Sequence, residues 1–189
     1  MKKYILASKS PRRIQLLEDF GISAISMPAD IIEDSPIIND YISTVMHLAL
    51  KKAMYIYKHG DIEGYNIIIG SDTVVYNNEI LGKPNSKNEA YSMIKSLSGR
   101  FHVVSTGIAV IDIDNDIKYV SHVETKVFVK KISEEDILSY INTEEPYDKA
   151  GGYAIQGIFG KFIDKYEGSY TNVMGLPKSN ILDIISKIK

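Results

Sequence analysis

The chain of 189 residues contains no cysteine. That absence excludes disulfides, zinc thiolates, iron–sulfur clusters and cysteine nucleophiles. No stretch approaches the ~18 consecutive apolar residues of a transmembrane helix, so we expect no membrane span. The first seven residues faintly resemble a signal peptide, but Lys9, Arg12 and Arg13 interrupt the apolar region too early for one. We therefore expect a cytoplasmic protein.

The sequence also has no strong excess of charge of one sign, and it lacks the common nucleotide-binding motifs. The 22 basic and 24 acidic side chains give a net charge of −2, which argues against binding to bulk nucleic acid. A small anionic ligand needs only a local basic pocket, so this balance does not count against one. The four histidines show no metal-ligand spacing. Without a P-loop or a Gly-x-Gly-x-x-Gly motif, kinase, GTPase and Rossmann interpretations lose their main support.

The order of the predicted elements indicates the fold class. A chain of 189 residues fits a single domain over residues 1–189, or one domain with a subdomain, and can bury a core. Strands and helices alternate with both hairpin and crossover connections, which predicts an α/β domain around a mixed sheet. The predicted strands cover 4–7, 22–26, 66–70, 74–76, 79–81, 101–113, 117–130, 153–156 and 158–163, and the predicted helices cover 11–20, 42–57, 90–97, 133–140 and 178–188.

The stretch Ser8-Lys9-Ser10-Pro11-Arg12-Arg13 links an apolar strand to an amphipathic helix. Ser10 is a suitable N-cap, and Pro11 suits the first helical position because its missing N–H costs nothing there. The N–H groups and partial positive charge of a helix N-terminus, together with two arginines, favour a phosphate site. An ordinary capped helix with two solvated arginines fits this stretch equally well.

Asp72 is the strongest catalytic candidate. It follows the apolar strand over residues 66–70, and we expect that strand to place Ser71, Asp72 and Thr73 at its carboxyl end, where α/β sheets bind ligands. A carboxylate there can hold a divalent cation or deprotonate water. A solvated turn aspartate is the alternative.

Further candidates are weaker when taken one at a time. Lys83 lies between Gly82 and Pro84, which restrict the local backbone, and Lys52 lies among apolar residues of a predicted helix, although most lysines simply face solvent. Glu33 belongs to an acidic loop over residues 27–39 and could serve as a Mg²⁺ ligand, although such loops are often only soluble. Gln156 lies among glycines and could read a nucleobase edge, or it could be an ordinary strand residue.

Four blocks, taken in order, resemble the Maf family of nucleoside triphosphate pyrophosphatases. The resemblance spans about residues 4–178, and any one block alone would be modest support. The blocks are Leu6 to Arg13; Gly70 to Val75; Leu81 to Pro84, followed by Leu97 to His102 and Thr106-Gly107; and Glu145 to Gly157, followed by Gly168 to Tyr170 and Val173 to Pro177.

The resemblance implies both a fold and an activity. The implied fold is a mixed α/β architecture with an elongated central sheet flanked by helices, similar to the inosine triphosphate pyrophosphatases. The implied reaction is hydrolysis of a nucleoside triphosphate to the monophosphate and pyrophosphate with a divalent cation, Mg²⁺ or Mn²⁺, in a homodimer. A nucleotide-binding regulator of septum formation without significant turnover is the alternative function.

The resemblance also implies roles for individual residues. Asp72 matches the family's proton acceptor, and Arg12, Thr73 and Gln156 match positions linked to substrate choice, in the set typical of the dTTP and UTP branch. Five further residues match other active-site positions: Ser8, Arg13, Glu33, Lys52 and Lys83. We assign Asp72, Lys83 and Lys52 to catalysis, and Glu33 with Asp72 to the metal. Ile32 stands where an acidic residue is common, and Met174 replaces a usual valine.

Overall fold

The computed structural model describes residues 2–33 and 40–188 and divides the chain into two compact units. The first unit comprises residues 1–72, 106–123 and 175–189, and the second comprises residues 73–105 and 124–174. Asp34 of the predicted acidic loop lies outside the described residues. Within the described part of the chain, no helix is long and apolar enough to cross a membrane.

Seven strands and six α-helices follow one another along the described residues. The strands are β1 (Tyr4–Leu6), β2 (Ala24–Ser26), β3 (Ile67–Tyr76), β4 (Ile80–Leu81), β5 (Phe101–Asp112), β6 (Ile117–Val129) and β7 (Ile163–Glu167). The helices are α1 (Pro11–Asp19), α2 (Tyr41–His59), α3 (Lys87–Leu97), α4 (Glu134–Ile141), α5 (Tyr170–Val173) and α6 (Lys178–Lys187). Short 3₁₀ turns cover Glu145–Asp148, Ala150–Gly152 and Ile158–Phe162.

All seven strands belong to one mixed sheet, which confirms the predicted fold class. The strand order is β2-β1-β3-β5-β6-β7, and β4 pairs with β3 beside this path. Strand β1 runs parallel to both β2 and β3, with Tyr4 opposite Ala24 on one side and Ile67 on the other. Strands β3 and β4 form the predicted antiparallel hairpin, and β6 and β7 are also antiparallel.

In the first unit, glycines allow α2 to lie very close to the strands. A Cβ added to Gly70 of β3 would lie 2.2 Å from the carbonyl oxygen of Ala49, and one added to Gly107 of β5 would lie 2.1 Å from that of Val45. These contacts are possible only without side chains. The apolar face of α2, which includes Val45, Ala49 and Ala53, is fully buried as predicted. Lys52 lies on the same helix and is 8% exposed.

The second unit has its own apolar core. Residues of α3, α4 and β6 pack there around Phe159, which is completely buried. His102 is buried beside Tyr153, with its Nε2 2.6 Å from the tyrosine hydroxyl. His102 Nδ1 has no hydrogen-bond partner among the described residues. Burial lowers the pKa of His102 to about 4, so the ring is neutral at pH 7.

Several predicted helix ends are confirmed by their capping contacts. The Ser86 and Ser133 side chains accept hydrogen bonds from the backbone N–H groups of Glu89 and Asp136, at 3.2 and 3.1 Å. The serine contacts of the capping patterns are thus confirmed, whereas the Glu89 carboxylate accepts the N–H of Asn85 and not that of Ser86. Gly21 ends the first helix region at a φ of 81°, in the left-handed region that favours glycine.

Three strand predictions are wrong in whole or in part. The strand predicted over residues 66–70 does not end before Ser71, because β3 continues to Tyr76 and places Asp72 in mid-strand. The strands predicted over residues 153–156 and 158–163 are replaced by irregular backbone and a 3₁₀ turn, and regular pairing begins only at Ile163. The cause is a contact that is distant in sequence: the Glu145 carboxylate accepts hydrogen bonds from the N–H groups of Ile158 and Phe159.

Candidate active site

Asp72 and Lys52 form a buried ion pair in the first unit. Lys52 Nζ lies 2.6 Å from Asp72 Oδ1, and the two side chains are only 9% and 10% exposed. Burial raises the pKa of Asp72 above its usual value, whereas the positive charges of Lys52 and Arg13 lower it. The pair follows from the close approach of α2 to β3, since that packing brings the ammonium group to the middle of the strand.

Glu33 contributes a second carboxylate to the same ammonium group. Its Oε1 lies 2.9 Å from Lys52 Nζ, and its side chain is 58% exposed. The lysine therefore contacts one buried and one accessible carboxylate. The neighbouring Ile32 side chain is 79% exposed, and its backbone carbonyl accepts a hydrogen bond from Lys51 at 2.9 Å. Ile32 therefore contacts α2 through its backbone carbonyl, and its side chain is exposed to solvent.

Arg13 is fixed by a backbone carbonyl. Its Nε donates a hydrogen bond to the carbonyl oxygen of Gly175 at 2.9 Å, and Ser71 Oγ donates to the same oxygen, also at 2.9 Å. Gly175 has a φ of 102°, a conformation that disfavours any residue with a side chain. Burial lowers the pKa of Arg13 and the nearby Asp72 carboxylate opposes this effect, so the guanidinium stays charged.

The turn between β1 and α1 presents both arginines as the sequence predicts. Ser8 is 8% exposed, its Oγ accepts the N–H of Ser10 at 3.1 Å, and its carbonyl accepts the hydroxyl of Ser26 at 2.7 Å. Ser10 occupies the N-cap position, but its side chain makes no capping hydrogen bond with the described residues. Arg12 and Arg13 are half-buried in the first turn of α1. The helix start thus carries two cations and lacks the side-chain cap that helix N-termini commonly have.

A divalent cation would find two carboxylates at this point, those of Glu33 and Asp72. Among residues 2–33 and 40–188, no group of three histidines or acidic residues could hold a metal ion by itself. Mg²⁺ typically binds one or two carboxylates and takes its other ligands from substrate phosphates and water. The donor set in the first unit fits that pattern, provided that a phosphate ligand supplies the rest.

In the second unit, Lys83 is exposed on a restrained loop. The carbonyl of the preceding Gly82 accepts the N–H of Gly151 at 2.9 Å, so the loop is attached to the glycine-rich segment. A Cβ added to Gly151 would lie 2.7 Å from the Val75 side chain, so the segment needs glycine for space. No acidic side chain of the described residues pairs with Lys83, which leaves its ammonium group available to an anion.

Gln156 also belongs to the second unit and is exposed. It lies in a turn that is closed by a hydrogen bond from the N–H of Gly157 to the carbonyl of Ala154, at 3.1 Å. Thr73, the first residue of this unit, follows Asp72 directly and is half-buried. The structure thus brings Glu33, Lys52, Asp72 and Arg13 together in the first unit, and it shows Lys83, Thr73 and Gln156 as residues of the second.

Sequence reasoning missed two groups that support these residues. One is the carbonyl oxygen of Gly175, which holds Arg13 although the two residues are 162 positions apart. The other is the Glu145 carboxylate, which holds the backbone next to Gln156. A backbone carbonyl leaves no trace in a pattern of side chains. Glu145, in contrast, stands at the start of the glycine-rich block, and an acidic residue before such a block is a usable signal.

By its sheet and helices the chain is a mixed α/β protein, and comparison with known proteins assigns it to a family. The family model described as Maf-like protein matches residues 3–188, so the chain belongs to the Maf family. A dTTP/UTP pyrophosphatase of Thermoanaerobacter sp. (strain X514) is 45% identical over 187 residues, covering 98% of this chain and 96% of that protein. A dTTP/UTP pyrophosphatase of Alkaliphilus oremlandii is 46% identical over 180 residues, covering 94% and 91%.

A solved structure is similar over part of the chain. The alignment with the Staphylococcus aureus Ham1 protein covers 68% of this chain and 72% of the Ham1 chain, with 11% sequence identity and a TM-score of 0.39.

Proposed function

We propose that the chain is a nucleoside triphosphate pyrophosphatase that hydrolyses dTTP and UTP to the monophosphate and pyrophosphate. The observation that carries the proposal is the buried ion pair of Asp72 and Lys52, and the positive charge of Arg13 also acts on the Asp72 carboxylate. This pair occurs in a chain that is 45% identical to a dTTP/UTP pyrophosphatase. An isolated buried carboxylate is costly, and retaining one with paired cations is typical of a functional site.

In the proposed reaction, water attacks the α-phosphorus of the nucleotide. A bond forms between the water oxygen and phosphorus, and the bond from the α-phosphorus to the bridging oxygen breaks, releasing pyrophosphate. Asp72 accepts the proton of the attacking water. Burial raises the pKa of this carboxyl, and a raised pKa makes its carboxylate a stronger base.

The cationic side chains stabilise the negative charge of the phosphates. Arg12 and Arg13 at the start of α1 offer fork-shaped donors, which match phosphate oxygens better than ammonium groups do. Lys52 orients Asp72 through its 2.6 Å contact. We assign Lys83, like the two arginines, to the stabilisation of phosphate charge. Donors that are already fixed in place stabilise developing charge most effectively, and Arg13 is fixed by Gly175.

A divalent cation, Mg²⁺ or Mn²⁺, belongs to this proposal. Glu33 and Asp72 are the residues that would hold it. When bound, it would neutralise phosphate charge and polarise a phosphoryl oxygen.

Recognition of the base is assigned to Gln156, Thr73 and Arg12. Gln156 carries both a donor and an acceptor, as the edge of thymine or uracil requires. Thr73 adds a hydroxyl, and Arg12 is the third residue of the set linked to substrate choice. A site that hydrogen-bonds a base rejects analogues that leave its polar groups unpaired.

A pyrophosphate-release assay with Mg²⁺ or Mn²⁺ across a nucleotide panel tests the proposal. We expect dTTP and UTP to be hydrolysed with higher kcat/KM than dCTP, dATP or GTP. Saturable nucleotide binding without pyrophosphate release would instead support a nucleotide-binding regulator of cell division. A homodimer in the cytoplasm is part of the same proposal, and sedimentation of the purified protein tests its dimeric part.

A further inference from the structure

Glu145 links two segments of the second unit through one carboxylate. Its Oε2 accepts the N–H of Ile158 at 2.6 Å, and its Oε1 accepts the N–H of Phe159 at 3.1 Å. Oε1 also lies 3.0 Å from the hydroxyl of Tyr140, whose side chain is buried. These N–H groups begin the 3₁₀ turn over Ile158–Phe162 and would otherwise lack partners within the turn.

The Tyr140 hydroxyl extends the linkage to the glycine-rich segment. It lies 3.1 Å from the carbonyl oxygen of Gly152, so its single proton is shared between that oxygen and Glu145. The Glu145 carboxylate therefore contacts the backbone after Gln156 directly and the backbone before it through one hydroxyl. Tyr140 is 2% exposed, so the tyrosine side of this linkage is buried, whereas the hydrogen bond between Glu145 and Ile158 is exposed.

Gly157 lies against this carboxylate, which leaves no space for a side chain at that position. A Cβ at Gly157 would lie 2.1 Å from Glu145 Oε2, well inside any allowed contact. The N–H of Gly157 bonds to the carbonyl of Ala154 at 3.1 Å, and the carbonyl of Gly157 accepts the N–H of Gly160 at 3.0 Å. The backbone on both sides of Gln156 is thus fixed, while the Gln156 side chain remains exposed.

We infer that Glu145 is the positioning residue for base selection: its carboxylate holds the Gln156–Gly157 turn in the conformation that presents the Gln156 amide to the pyrimidine. The inference rests on the proposed function, and it adds a residue that does not itself touch the nucleotide. An amide discriminates between carbonyl and amino groups on a base only if its direction is fixed. A turn released from Glu145 lets Gln156 adopt several directions and lowers selectivity before it lowers turnover.

Selectivity is the measurement that separates this role from simple structural support. We compare kcat/KM for dTTP and for dCTP, whose bases differ at position 4 by a carbonyl and an amino group. In Glu145→Gln, the carboxylate loses its charge and one acceptor oxygen, and we expect the dTTP-to-dCTP ratio to fall about tenfold. The neighbouring Glu144 is exposed, and Glu144→Gln, the matched control, keeps the wild-type ratio.

A double-mutant cycle with Gln156→Ala tests whether Glu145 acts through Gln156. Once Gln156 is absent, Glu145→Gln should change the ratio no further, because the amide that it positions is gone. Gly157→Ala tests the same point if Glu145→Gln fails to fold, since the added Cβ displaces the carboxylate and should lower the ratio similarly.

Equal loss of kcat/KM for dTTP and dCTP in Glu145→Gln would overturn the inference, as would additive effects in the cycle. Neither result would affect the proposed function. Conversely, a wild-type protein that releases no pyrophosphate from any nucleotide would overturn the proposed function itself, which distinguishes the two failures.

Discussion

The two units hold their candidate site residues in different ways. In the first unit, Lys52 and Asp72 are fixed by direct contact between buried charges, 2.6 Å apart. In the second unit, Lys83 and Gln156 are exposed, and the surrounding backbone is fixed instead. Groups that accept a proton need a controlled pKa, which burial and neighbouring charges supply. Groups that recognise a ligand need accessibility and a fixed direction, which a restrained backbone supplies.

Asp72→Asn gives the largest expected effect. If the first unit performs the chemistry, the substitution removes the proton acceptor while retaining the shape of the side chain. We expect kcat to fall by about 100-fold or more, or at least about 2.7 kcal/mol in activation free energy. Steady-state pyrophosphate release with dTTP measures it.

The matched control is Asp61→Asn, because Asp61 is an exposed aspartate of the same unit. We expect it to retain wild-type turnover. If Asp72→Asn turned over substrate at a rate close to that of the control, Asp72 would not be the proton acceptor. The proposed assignment of the chemistry to the first unit would then be wrong.

We expect His102 to make the folded protein less stable in acid. Its pKa is about 4 in the folded protein, against an ordinary value of 6.5. Between these two values the unfolded chain binds more protons, so the free energy of unfolding falls as pH decreases from 6.5 towards 4. The full effect is about 3 kcal/mol. Urea unfolding at several pH values measures it.

We expect His102→Gln to lose most of this pH dependence and His59→Gln to keep it, because His59 is exposed. An unchanged slope in His102→Gln would show that other groups cause the acid sensitivity.

Lys52→Met should shift the pH dependence of kcat. Lys52 lowers the pKa of Asp72, opposing the effect of burial. Since only the ionised carboxylate accepts a proton, rate is lost as pH falls through this pKa. Without Lys52 the pKa rises further, so we expect the acid limb of kcat to move to higher pH.

Lys58→Met is the control, because Lys58 is an exposed lysine of the same helix. An acid limb at the wild-type position in Lys52→Met would mean that Asp72 does not control the profile.

Local patterns in the sequence were sufficient to predict many elements of the fold. The capping serines Ser86 and Ser133, the buried face of α2 and the β3–β4 hairpin all follow from residues within a few positions of each other. The wrong strand predictions have another origin. β3 continues through Asp72 because Lys52 compensates the buried carboxylate, and Glu145 converts an apolar run into a 3₁₀ turn. Contacts between residues far apart in sequence override local preference in both cases.

The candidate site was predicted as a set of residues but not as an arrangement. Residue patterns indicated Arg13, Asp72, Lys83, Lys52 and Glu33 as separate candidates, and the family resemblance grouped them in one site. The sequence did not indicate that one ammonium group contacts both carboxylates, or that the Gly175 carbonyl holds Arg13. These contacts depend on how α2 packs on the sheet and how the chain returns near its C-terminus.

Hydrolysis of dTTP in ¹⁸O-labelled water tests the central claim most directly, because it shows which phosphorus the water attacks. The account predicts that the label appears in dTMP and that the released pyrophosphate is unlabelled. Label in the pyrophosphate, or orthophosphate as the first product, would contradict it.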